Sequence, residues 1–145
     1  MTGNHDPLTE PAVPLLGLSL SVILVIALGG ALGTLARFLL DTTFVEGSSQ
    51  LPKVTLVINL SGSLAIGLLV PMVERWMPHH PLLRPFLLVG LLGGWTTYSA
   101  LAVSAVTLLQ NGHAATCVLY LAATLLGGTA FVAVGSAVGR RLSAP

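Results

Sequence analysis

Polar and apolar positions along this chain separate into long blocks. Residues 15–36, 54–73 and 85–139 carry no Asp, Glu, Lys or Arg. A helix needs about 20 apolar residues to cross a bilayer core, so the first two blocks predict spans over residues 15–40 and 54–73. The third block is too long for one span, and Gln110-Asn111-Gly112-His113 supplies a polar turn within it. It divides into spans over 86–109 and 114–138. The pattern predicts an all-α membrane protein with four transmembrane helices in a single domain over 15–141. Both termini then lie on the same side.

The flanks refine this outline. The segment MTGNHDPLTEPAVP holds Asp6, Glu10 and three prolines but no Lys or Arg. A secretory leader needs a basic start, so residues 1–14 are expected to be a flexible tail and the first span to be retained. Residues 142–145 form a short C-terminal tail. The connection after the second span is framed by Glu74, Arg75, Trp76, Pro78, Pro81, Arg84 and Pro85, and Trp76 there suits an interfacial anchor. Arg75, Arg84, Arg140 and Arg141 fall on the side of the termini, Lys53 and Arg37 on the other. That asymmetry favours termini inside, yet it is small enough to be compatible with one orientation or with two.

Composition narrows the function. Of 145 residues 54% are apolar and 8% charged, against roughly 25% charged in a soluble domain. A net charge of +1 without a basic cluster argues against nucleic-acid binding. The single cysteine, Cys117, excludes an intrachain disulfide or a CxxC site and reads as a buried, inert thiol. No nucleophile–base pair or metal-ligand cluster stands out, and His5, His79, His80 and His113 lie in predicted tails or loops. An enzyme is not expected. No carboxylate lies in mid-span, which argues against a proton-coupled exporter.

The hydrogen-bonding residues inside the spans are uncharged. Thr55, Asn59, Ser63 and Gly67 recur every four residues on the second span, as do Thr116, Tyr120, Thr124 and Gly128 on the fourth. Each set shares one helical face. Two such stripes suit either the lining of a narrow pathway or helix-to-helix glue. Asn59 is the harder to assign to packing alone, because a mid-span amide needs partners. On the first span, Gly29 and Gly33 have the spacing of close helix packing, and Arg37 either snorkels to the interface or faces inward as a fixed positive charge. In the third span, Gly90, Gly93 and Gly94 followed by Thr96 and Thr97 weaken a helix at mid-membrane depth. Unwound backbone is tolerated there only inside protein or beside a cavity; a glycine packing interface is the alternative.

Three motifs in order and at matching separations, GGALGTLAR (29–37), TLVINLSGSLAIG (55–67) and GLLGGWTTYSAL (90–101), resemble the Fluc/CrcB fluoride channels. The resemblance spans the chain after its tail. It implies an antiparallel dimer in the plasma membrane, with two narrow pores at the subunit interface and a structural sodium ion at the dimer centre. Carried over by position, backbone carbonyls of Gly93 and Thr96 would hold that ion. Asn59, Tyr98, Ser99, Tyr120, Thr124 and Arg37 would belong to the fluoride pathway. The position after Thr124 on this track, often Ser in the family, is Gly128 here. The family's usual TTFSTF places two phenylalanines in the pores; here Tyr98 and Leu101 stand at those positions, and Leu101 has no ring. This departure leaves open a homodimer, or a heterodimer with a homologous chain in which one partner conducts partly or not at all. The implied activity is passive export of cytoplasmic fluoride, which enters cells as neutral HF from acidic surroundings.

Overall fold

The computed structural model describes residues 19–44 and 51–144; the expected tail over 1–14 and the start of the first span lie outside them. Four helical spans cross the length a bilayer demands. Helix α1 (Leu20–Thr43) begins at Ser19, whose hydroxyl accepts the Val22 N–H, an ordinary N-cap. Helix α2 (Lys53–Trp76) comes next. The third span is a π-helical segment (Pro85–Leu91) that tightens into a single turn, α3 (Leu92–Trp95), stops at Thr96 and Thr97, and resumes as α4 (Tyr98–Gln110). Helix α5 (Ala114–Leu142) completes the chain. The span that breaks is also the least apolar, with a mean hydropathy of 1.6 against 2.0–2.1 for the others.

Boundaries differ from expectation where polarity misled. Helix α2 runs past residue 73, with Pro71 inside it, and α5 passes residue 138 to carry Arg140 and Arg141 in its last turn. Basic side chains favour that end of the helix dipole, and Arg140 Nη1 donates to Ser136 Oγ at 2.5 Å. The break in the third span sits at Thr96–Thr97, whereas Gly93 and Gly94 remain helical. The glycines close the turn that packs against α1, and the helix yields only where Asn59 takes the Thr97 N–H.

The spans associate as two parallel pairs. In the first, α1 lies against the π-helical segment and α3. A Cβ on Gly29 would stand 2.5 Å from the Phe86 carbonyl, one on Gly90 2.7 Å from that of Ile26, and one on Gly33 2.8 Å from the Trp95 nitrogen. In the second pair, α2 lies against α5: Gly67 abuts Val132 and Ser136, Gly135 abuts Leu64 and Leu68, and Gly139 abuts Leu68 and Pro71. Backbones this close leave no room for a side chain and gain dispersion contacts along their length, the main attraction between helices in lipid.

A small core closes the end near the α4–α5 turn. Tyr120, Leu108, Cys117 and Ala105 are buried together, with Leu51, Leu56 and Leu101 packed against them. The Cys117 thiol donates to the Ala105 carbonyl at 3.5 Å, as a buried structural thiol does. Elsewhere large apolar side chains such as Leu24, Val118, Leu125 and Leu126 are exposed, a surface suited to lipid or another apolar partner.

Candidate functional site

The two pairs meet at the break. The Thr97 N–H, which would bond the Gly93 carbonyl in a continuous helix, donates to Asn59 Oδ1 at 2.8 Å. Asn59 Nδ2 donates back to the Thr97 carbonyl at 3.0 Å. The amide thus clasps both backbone groups of one residue, and Thr97 can be extended (φ −145°, ψ 123°) at mid-span without orphaned groups. Thr97 Oγ1 accepts the Ala100 N–H at 3.2 Å and caps α4. Carbonyls of the turn before the break lose their helical partners in consequence. That of Gly93 loses Thr97 to Asn59, and that of Thr96 loses Ala100 to the cap. The family resemblance implied a role for these two carbonyls.

Arg37 turns inward. Its Nε donates to the Gly94 carbonyl at 3.3 Å, with Thr34 Oγ1 at 3.5 Å from the same oxygen. That carbonyl ends the α3 turn, where the helix dipole is negative, so a guanidinium suits it. Asp41 lies 3.6 Å from Arg37 Nη1 and meets its charge. Thr34 escaped the sequence reading, as did a second tie across the break, from Trp95 Nε1 to Ser61 Oγ at 3.0 Å. Neither has a signal in the linear pattern, because each depends on which faces meet.

Beside the clasp lies an open groove of about 320 Å³ lined by Asn59, Ser63, Ile66, Thr96, Thr97, Tyr98, Leu101 and Thr124. It joins Asn59, Tyr98 and Thr124 of the expected pathway. Tyr98 projects outward, 82% exposed. Ser99 does not line the groove but shares a hydrogen bond with Thr97 Oγ1 at 3.2 Å. Tyr120 is fully buried in the core behind Leu101. Its carbonyl accepts the Thr124 hydroxyl at 2.9 Å. Among the described residues no charged side chain lines the groove, and no cluster of three His, Cys, Asp or Glu is fit for a metal.

Comparison with known proteins shows the family. Residues 24–136 match the family described as CrcB-like protein, Camphor Resistance (CrcB). The chain is 42% identical over 121 residues to the fluoride-specific ion channel FluC 2 of Nocardia farcinica, covering 83% of this chain and 86% of that one. It is 40% identical over 119 residues to the fluoride-specific ion channel FluC of Paracoccus denitrificans, with coverages of 82% and 94%. Against the FluC of Agrobacterium fabrum the identity is 37% over 121 residues, with coverages of 83% and 97%. With four apolar spans, one of them bent, the chain belongs to the CrcB family of fluoride-specific ion channels, multi-pass membrane proteins that are not enzymes.

Proposed function

We infer that the protein is a passive, fluoride-selective channel of the plasma membrane that lets cytoplasmic fluoride leave down its gradient. The observation that carries this reading is the groove beside Asn59, which gathers amide, hydroxyl and aromatic groups with no charged side chain among them. Fluoride is small and strongly hydrated, so a path must replace water with fixed donors. Neutral donors do so without the full charge that would hold the ion in place. The groove is open on one side, which supports completion by a second chain in antiparallel orientation.

The carbonyls of Gly93 and Thr96 suit a structural sodium ion between two such chains. Both are released from helical bonding at the break, and neutral backbone oxygens are fitting ligands for a hard cation. Each copy would contribute two ligands, and the ion would supply fixed positive charge and a tie between subunits.

The test is fluoride efflux from liposomes holding the purified chain, followed with a fluoride electrode. Fluoride should leave rapidly while chloride stays; equal release of both ions overturns selectivity. Leu101 in place of a ring supports a second reading, a subunit that conducts only beside a homologous partner. Efflux that appears only on co-reconstitution with such a partner would select that reading.

A further inference from the structure

Hydroxyls near the groove are not equivalent as donors. Thr124 Oγ1 gives its proton to the Tyr120 carbonyl at 2.9 Å, and Thr96 Oγ1 gives its own to the Leu92 carbonyl at 3.0 Å. A hydroxyl committed to the preceding turn presents lone pairs to the groove, which repel an anion. Asn59 spends one N–H on Thr97. Ser63, half-buried on α2 and lining the same groove, has no hydrogen bond within the described residues. Across from it stands Gly128 of α5, where a Cβ would come within 3.3 Å of Ser63 Oγ. Glycine at 128 therefore leaves the Ser63 hydroxyl space to rotate.

We propose that Ser63 is a specificity-determining donor of the fluoride path, its hydroxyl turned toward the halide in the room left by Gly128. The assignment rests on the channel reading above. A hydroxyl that can point its proton into the groove stabilises an anion in transit; fluoride, the strongest acceptor among the halides, gains most from it. Together with the second N–H of Asn59 and the Tyr98 phenol, Ser63 gives the path donors at separate depths.

The experiment compares fluoride efflux from liposomes for the native chain, Ser63→Ala and the double variant Ser63→Ala/Gly128→Ser. Loss of one hydrogen bond to an ion predicts efflux about tenfold or more slower for Ser63→Ala. The double variant should recover much of the loss, because a hydroxyl on residue 128 can enter the space the Ser63 oxygen vacates. Thermal melting of Ser63→Ala in detergent should match the native protein, since this hydroxyl bonds nothing among the described residues. Native efflux retained in Ser63→Ala overturns the assignment while leaving the channel reading intact. So does a loss that Gly128→Ser fails to restore, or a lowered melting temperature that accounts for the loss. A native chain impermeable to fluoride overturns both.

Discussion

The α1–third-span pair and the α2–α5 pair use the same packing device with different results. Both are parallel and both bring backbones together through glycine. Helices α2 and α5 nevertheless run unbroken for 24 and 29 residues, whereas the third span gives way after Trp95. Glycine is not what separates them. Gly90 and Gly94 are spent on close contact with α1, and the helix ends only where Asn59 offers the Thr97 backbone better partners. Close packing and helix breaking are separate properties, even where one sequence motif carries both.

The largest effects should follow from forcing either pair apart. Gly33→Ala sets a methyl against the Leu91 carbonyl, and Gly67→Ala sets one against that of Val132. Overpacking of this kind costs about 1–3 kcal/mol, which should appear as a lower melting temperature in detergent for both variants. If Gly33→Ala also stops fluoride efflux at temperatures where it is folded and Gly67→Ala does not, the first pair is the one that sets the break. Next comes the clasp. Asn59→Ala leaves the Thr97 N–H and carbonyl without side-chain partners, at about 1–3 kcal/mol for each buried group. Amide exchange at Thr97 should accelerate and efflux should fall; unchanged exchange would mean that the extended backbone holds itself.

Arg37→Gln tests a smaller contribution. It removes the positive partner of the Gly94 carbonyl and the pair with Asp41, expected to cost about 1 kcal/mol in chemical denaturation. A deficit abolished by adding Asp41→Asn would show that the ion pair outweighs the carbonyl contact. Gly93→Ala should matter least to the single chain. A Cβ there meets nothing within 4 Å, so folding should change by no more than about 0.5 kcal/mol. Efflux or dimer yield lost in this otherwise stable variant would locate a second copy against that face.

Much of this was legible in advance. The blocks without charge marked four spans, and Gln110 to His113 marked the last turn, because a bilayer imposes length and polarity on a helix whatever its neighbours. Asn59 stood out since an amide in hydrocarbon must be answered. Its answer was not legible: Thr97 lies 38 residues away in sequence, and only the meeting of α2 with the third span joins them. Arg37 at a span end reads equally as a snorkelling or an inward side chain, and the Gly94 carbonyl decides the matter. Tyr120 and Thr124 share a predicted stripe, yet packing with Ala105 and Leu108 of α4 buries the ring of one, and the other stays beside the groove.

Linear order alone determined the solvent this chain lives in, the number of times it crosses, and the neutral chemistry it carries there. Those follow from transfer free energies, which each segment obeys by itself. Tertiary structure decided which carbonyls are released, which hydroxyls keep a proton to offer, and where the third span yields. A hydrogen bond is a relation between two groups, and its outcome depends on the competitor that packing brings within 3 Å or so.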